Sequence, residues 1–309
     1  MVLLLISFSI SFVANAEVRV LTSIKPLQLI ASAVQEGVGQ PDVLLPPGAS
    51  PHHYALRPSD VRRVRDADLL YWIGPDLESF LPRVLAGRDR PSVVVQDIPG
   101  LYLRHFGSSD AAEDEHQDEH AAHPQAADEH DHDHRPGSLD AHLWLQPANA
   151  RVIAAKIAAD LTLADPANAA RYQANADAFS KRLDALDQRL KTRLSGLAGK
   201  PYFVFHEAYD YFEAAYGLKH AGVFSVLGEV QPGAQHVAAM RERLQQAGPS
   251  CVFNEPPFRP RLAQTLTAGL PVTLAELDAM GGALPVDAGG YEALLNNLAG
   301  ELAGCLEGL

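Results

Sequence analysis

Residues 166–194 read PANAARYQANADAFSKRLDALDQRLKTRL, and this stretch decides how the rest of the chain divides. Tyr172, Phe179, Leu183, Leu186, Leu190 and Leu194 recur at steps of three, four and seven residues. That spacing lines one face of an α-helix. Asp165-Pro166 breaks the pattern and restarts it after an Ala- and Leu-rich piece that begins at Pro147. Some thirty helical residues make a rod of roughly 45 Å at 1.5 Å per residue, long enough to bridge two domains. A coiled coil is the weaker alternative, because the apolar positions do not keep strict heptads.

On both sides of this rod the chain alternates strand and helix signals. Upstream, VRVLTS (18–23) suits a strand and LQLIASAVQ a helix, DVLLP (42–46) is a second short strand, and the turn-rich PPGASPHHY follows it. Pro58 opens a helix, ADLLYWIG is a third strand with Trp72 in the core, LESFLPRVLAG is a helix interrupted by Pro82, and PSVVVQDI (91–98) is a fourth strand. Downstream come YFVF (202–205), HAGVFS, a helix initiated by Pro232, CVFNE, the helix RPRLAQTLTAG, PVTLAEL and a final helix from about Gly290. Strands that alternate with helices build parallel sheets. The expected fold is therefore α/β, with two lobes joined by a long rigid backbone helix. The expected division is an N-terminal lobe over 17–146, a helical linker over 147–198 and a C-terminal lobe over 199–309.

Residues 1–16, MVLLLISFSISFVANA, form a short apolar run ending in Ala14-Asn15-Ala16, a pattern cut by signal peptidase. The run is shorter than the ~20 residues needed to span a bilayer, so a cleaved export signal is expected and a transmembrane anchor is the alternative. It lacks a basic n-region, so either the natural start lies upstream or the terminal amine serves alone. Cys251 and Cys305 are the only two cysteines, and in an exported chain they are expected to pair, with two free buried thiols as the alternative.

The net charge is −13, and the ten unopposed acids of residues 110–134 leave only about −3 elsewhere. Nothing in the sequence resembles a basic face, which argues against nucleic acid as a partner. In that stretch His116, His120, His123, His130, His132 and His134 alternate with the acids. Such a composition does not bury a core, and imidazole with carboxylate suits divalent transition metals. A plain solvated acidic loop is the alternative.

Three further histidines occupy strand-edge or semi-buried positions: His52 in the turn after DVLLP, His142 between apolar neighbours, and His206 directly after YFVF. Asp278 follows PVTLAEL. Ligands of open parallel sheets bind beyond the C-terminal ends of strands, and three imidazoles with one carboxylate or water complete a tetrahedral Zn2+ shell. Two donors from each half would clamp the halves together. Each residue also has a plain structural role open to it, His53 competes with His52, and His105, His220 and His236 read as surface residues. Asp140, Glu207 and Glu255 are placed to fix ring tautomers.

TSIKPL, LLPPGASPHHYALRPSD, ADLLYWIGPDLE, DAHLWLQP, YFVFHEAYDYFE, VQPGAQ and FNEPPFRP resemble segments of the ZnuA-type zinc-binding proteins that serve bacterial ABC importers. The resemblance covers nearly the whole chain after residue 16, both cysteines included. It implies that the histidine before x-Tyr, His52, is the first ligand, that His142 and His206 are the next two, and that Asp278 is a ligand or a nearby carboxylate. Some relatives carry Glu where this chain has Pro51, which favours Asp278 or water as the fourth donor.

The resemblance further implies periplasmic capture of Zn2+ as cargo and delivery to an inner-membrane ABC permease with its cytoplasmic ATPase. A periplasmic zinc chaperone is a further candidate partner, a monomer the expected state, and the His- and acid-rich loop an accessory to the site. A manganese-importing sister group replaces the third histidine with a carboxylate, against which His206 speaks. Two other classes compete: an exported zinc hydrolase, for which His206-Glu207 continues Ala-Tyr-Asp and so lacks the second histidine of HExxH, and a metal-buffering or adhesin-like surface protein that uses the loop alone.

Overall fold

The computed structural model describes residues 17–107, 137–225, 234–256 and 261–309. The expected export signal, the His-rich loop and the Pro232 helix start lie outside these residues. The first lobe contains strands β1 (Val20–Thr22), β2 (Asp42–Val43), β3 (Leu69–Trp72) and β4 (Ser92–Val94) with helices α1 (Lys25–Val34), α2 (Pro58–Asp66) and α3 (Pro82–Leu85). Helices α4 (Pro147–Ala164) and α5 (Ala169–Leu194) follow. The second lobe holds β5 (Tyr202–His206), α6 (Asp210–Tyr216), β6 (Gly222–Ser225), α7 (Ala234–Ala247), β7 (Ser250–Asn254), α8 (Arg261–Thr267), β8 (Val272–Glu276) and α9 (Gly290–Leu306).

Both sheets are parallel and have the same order in space, β2-β1-β3-β4 and β6-β5-β7-β8. The chain direction across each sheet reverses between its first and third strands, so each has a switch point, β1/β3 in one lobe and β5/β7 in the other. The central strands are apolar on both faces and buried throughout, as helices on both sides require. On β5 the two faces part company: Tyr202 and Val204 join the core shared between the lobes, while Phe203 and Phe205 join a separate cluster with Phe224, Met240 and Leu244. His206 is two residues beyond Val204, so alternation turns it toward the inter-lobe side.

Three elements are shorter than their sequence suggests. The regular strand in DVLLP covers only Asp42–Val43; beyond it the Leu44 and Leu45 N–H groups still donate to the Thr22 and Ser23 carbonyls (2.7 and 3.0 Å) before the chain reaches Pro46-Pro47. Pro82 starts the four-residue α3 rather than interrupting a longer helix, because its missing N–H is tolerated only in a first turn. After Val94, PSVVVQDI tightens into a 3-10 turn over Val95–Asp97.

Helix α5 has 26 residues, about 39 Å at 1.5 Å per residue. Its restart is built by Asp165, whose carboxylate accepts from Asn168 Nδ2 (2.7 Å) and the Tyr172 hydroxyl (2.9 Å). Along its length α5 touches both lobes. Asn175 Nδ2 donates to the carbonyls of Val34 and Glu36 (2.9 Å each), and Arg182 pairs with Glu292 (2.7 Å) and the Ala288 carbonyl (2.8 Å). The lobes also meet directly where α9 starts at Gly290: a Cβ there would stand 2.7 Å from Leu29 Cδ2 on α1 and 2.9 Å from the Pro285 carbonyl oxygen. One apolar core runs from β1 and α1 through α4 and α5 to α9. The disulfide joins Cys251 on β7 to Cys305 on α9 with Cα atoms 6.2 Å apart. No helix among the described residues is long and apolar enough to cross a membrane.

Candidate metal centre

His52, His142 and His206 converge between the lobes. One ring nitrogen from each lies within 4.8 Å of the others, and the ring centroids are 5.4 Å (His52–His142), 5.2 Å (His52–His206) and 4.8 Å (His142–His206) apart. His142 is 2% exposed and His206 8% exposed. His53, the competitor of His52, is exposed, its ring 6.4 Å from that of His52. The loop that carries His52 is fixed two residues on, where the Tyr54 hydroxyl donates to Asp60 Oδ2 (3.0 Å), the same oxygen that accepts the Arg57 N–H (2.9 Å) and caps α2.

Two of the rings are oriented by carboxylates. Asp140 Oδ1 accepts from His142 Nδ1 at 2.7 Å and from the His142 backbone N–H at 3.0 Å. Glu255 Oε1 lies 3.2 Å from His206 Nδ1. A proton held at Nδ1 by a carboxylate leaves the lone pair on Nε2, the state a ligating imidazole needs. His206 ends β5 and Glu255 directly follows β7, so this pair straddles the switch point of the second sheet. The Tyr209 hydroxyl lies 3.1 Å from Glu255 Oε1 and 2.6 Å from the Leu277 carbonyl, and its burial keeps it protonated. Burial pushes the Asp140 carboxyl well up; the His142 N–H opposes this, and the charges of Asp210 and Glu207 add to it.

Asp278, expected as the fourth donor, is not brought into this group. Its Oδ1 accepts the backbone N–H groups of Met280 (2.8 Å) and Gly281 (2.9 Å), and Oδ2 that of Gly282 (2.8 Å). Short loops after a strand commonly use an aspartate in this way, a competing role for the carboxylate that position along the strand does not reveal. The same loop is tied to the site's wall by Trp144 Nε1, which donates to the Ala279 carbonyl at 2.9 Å. Glu207 is half-buried, its carboxyl raised by burial and then by Asp210, with His220 the next charge acting on it.

His105 is exposed, as expected. His220 is not the surface residue that the sequence suggests: it is half-buried, with Nδ1 3.0 Å from both oxygens of Glu213. The only sequence signal for this was the acidic spacing Asp210-x-x-Glu213 on α6. The His236 side chain and His116, His120, His123, His130, His132 and His134 lie outside the described residues.

Two equivalent α/β lobes with a buried cluster of imidazoles at their junction define a two-lobed, metal-type solute-binding protein. The profile of the family described as "Zinc-uptake complex component A periplasmic" matches residues 20–305. The chain belongs to this ZnuA family. It is 38% identical over 295 residues to the high-affinity zinc uptake system protein ZnuA of Yersinia pestis, covering 94% of this chain and 92% of that protein. To the protein of the same name from Paracoccus denitrificans it is 36% identical over 304 residues, covering 95% and 93%. Among solved structures, one titled "Crystal structure of ZnuA" shares the fold with a TM-score of 0.75 at 21% identity, covering 94% of this chain and 99% of that one.

Proposed function

We propose that this chain is the periplasmic capture component of a zinc importer: it binds Zn2+ as cargo through His52, His142 and His206 and hands it to an inner-membrane ABC permease driven by a cytoplasmic ATPase. The observation that carries the reading is the convergence of three imidazoles from two lobes within 4.8 Å. Nitrogen donors of this kind favour zinc over the harder manganese ion. Two of the rings have a carboxylate at Nδ1, the arrangement of ligating histidines. In a tetrahedral shell with bonds of about 2.0 to 2.1 Å, donors stand ~3.3 to 3.4 Å apart. Binding therefore draws the rings inward by up to roughly 1.5 Å from their present spacing.

The fourth position belongs to water or to Asp278. Asp278 Oδ2 accepts only the Gly282 N–H and keeps a lone pair, but its carboxylate is anchored to its own loop by the N–H groups of Met280, Gly281 and Gly282 and lies outside the three-histidine group, so water reaches the fourth position with less rearrangement. No bond of the cargo is made or broken, and the protein acts by binding, not catalysis. It is exported by cleavage of residues 1–16 and works as a monomer. The loop over 110–134 gathers metal weakly beside the main site and is a natural handover point for a periplasmic zinc chaperone.

Zinc titration of the full chain beside His142→Ala and a variant lacking residues 110–134 tests the reading. Tight one-to-one binding is expected to survive loss of the loop and to disappear in His142→Ala. Loss of tight binding with the loop alone would move the site there.

A further inference from the structure

Asp210 and Glu213 on α6 and His220 just before β6 form a second donor group, with one atom from each within 4.8 Å of the others. We propose that these three residues bind a second divalent transition-metal ion, independently of the His52, His142 and His206 group.

The separations suit such an ion. His220 Nδ1 is 3.0 Å from both Glu213 oxygens and 3.8 Å from Asp210 Oδ1. Donors around a tetrahedral ion with bonds of about 2.0 to 2.2 Å stand ~3.3 to 3.6 Å apart, a value those distances bracket, so small side-chain shifts admit the ion. Glu213 is already positioned for it. Its Oε1 accepts the Tyr202 hydroxyl (2.6 Å) and the His220 backbone N–H (3.2 Å), which fixes the carboxylate beside the ring. Asp210 and Glu213 are three residues apart on α6 and so share a face.

Charge points the same way. Asp210, Glu213 and Glu207 place three carboxylates in a partly dehydrated corner, on which the charges of Arg104 and Lys219 also act, with Arg243 at the cavity beside His220. Burial raises the Asp210 carboxyl and Glu213 adds to the shift. Burial alone would lower the His220 imidazole, but its hydrogen bond to Glu213 and the charges of Glu213, Asp210 and Glu207 outweigh this and raise it. The corner therefore favours added positive charge beside the ring. A dication that takes the Nδ1 lone pair places two positive charges among the same carboxylates, any proton held at Nδ1 leaving to solvent. One imidazole with two carboxylates is a harder, weaker donor set for zinc than three imidazoles. His220 also lines an open cavity of about 360 Å3 with Gly222, Met240 and Arg243, which lets solvent reach the ring.

The test is an equilibrium Zn2+ titration of the full chain, competed against a chelator of micromolar affinity, for the natural protein, His220→Gln and Asp210→Asn. The amide of His220→Gln can still donate to Glu213, so the fold is expected to persist, checked by near-ultraviolet dichroism and by the tightest equivalent of zinc. The expected result is an unchanged first equivalent and a further equivalent weakened at least tenfold in both variants, with any contribution of residues 110–134 common to all three proteins. Anomalous diffraction at the zinc edge from crystals of the natural protein soaked in zinc should add a peak beside His220 Nδ1. Equal stoichiometry and affinity in all three proteins, or a zinc-soaked crystal with no such peak, overturns the second site. His142→Ala reads the first site separately, so failure of one assignment leaves the other standing.

Discussion

Asp140 makes no claim to touch the cargo, yet replacing it with asparagine should weaken zinc binding by 10- to 100-fold. Its Oδ1 lies 2.7 Å from His142 Nδ1. Adding ~2.2 Å across the ring and about 2.0 Å for the Zn–N bond puts the carboxylate roughly 7 Å from the ion. One negative charge attracting a dication over that distance at an effective dielectric constant of 20 gives a ceiling of about 5 kcal/mol. Burial opposes it: Asp140 is 1% exposed and its carboxyl is pushed well up by dehydration, which removes part of that gain. Carboxylates behind ligating histidines typically account for 10- to 100-fold in affinity, or ~1.4 to 2.7 kcal/mol, well inside the ceiling. Asparagine keeps an acceptor for the His142 backbone N–H, now made at 3.0 Å, so the local fold should hold. The assay is competition for zinc against a chromophoric chelator at pH 7.5, with thermal unfolding of the metal-free proteins as control. Affinity within twofold of the natural protein would refute the role of Asp140 in holding His142 for coordination.

Zinc affinity should fall as pH drops through the imidazole range, because each ligand must shed a proton before it binds; full affinity at pH 5 in a buffered competition titration contradicts a three-histidine site. Glu78 gives a stability effect of opposite sense to most carboxylates. Buried against Ser23 and the N–H groups of Ile73 and Gly74, its carboxyl is pushed from 4.5 up to about 7. The folded state then holds more protons than the unfolded one between those values, so stability falls as pH rises from about 4.5 to 7, by on the order of 3 kcal/mol. Glu78→Gln should flatten that slope in urea unfolding series at pH 5, 6 and 7, and an unchanged slope removes Glu78 as its source. Opening the Cys251–Cys305 bridge, which closes a loop with a sequence separation of 54, should cost about 4 kcal/mol in the chain-entropy picture; a Cys251→Ser, Cys305→Ser double variant with an unshifted urea midpoint contradicts it.

The rod and the two βα halves were legible in sequence because helical spacing from Tyr172 to Leu194 and β-branched runs are local patterns. For His52, His142 and His206 position alone left plain structural roles open, and the resemblance of the surrounding segments to the ZnuA-type proteins singled them out. What escaped was set by tertiary competition. Asp278 has the address of a ligand, but the hydrogen bonds that anchor its carboxylate to residues 280–282 depend on how its own loop folds back, and no spacing encodes that. His220 reads as a surface residue because its neighbours Lys219 and Ala221 give no apolar pattern; its partner Glu213 is seven residues earlier, across the turn that ends α6 at Gly217, whose φ of 68° reverses the chain. The regular strands end at Val43 and Val94 although single backbone hydrogen bonds continue past them, from Leu44 and Leu45 to Thr22 and Ser23 and from Gln96 to Ile73, because Pro46-Pro47 and the 3-10 turn over Val95–Asp97 bend the chain away from a regular ladder. The most conspicuous histidines, those of residues 110–134, suggest metal by composition alone and lie outside the described residues.

X-ray absorption at the zinc edge, on the full chain loaded with one equivalent of Zn2+, tests the central claim most directly. The account predicts four light donors at about 2.0 to 2.1 Å, with the outer-shell scattering of three imidazoles, reduced to that of two in His142→Ala, where the same equivalent binds far more weakly. A zinc environment dominated by carboxylate or water oxygens, or one unchanged by loss of His142, contradicts it.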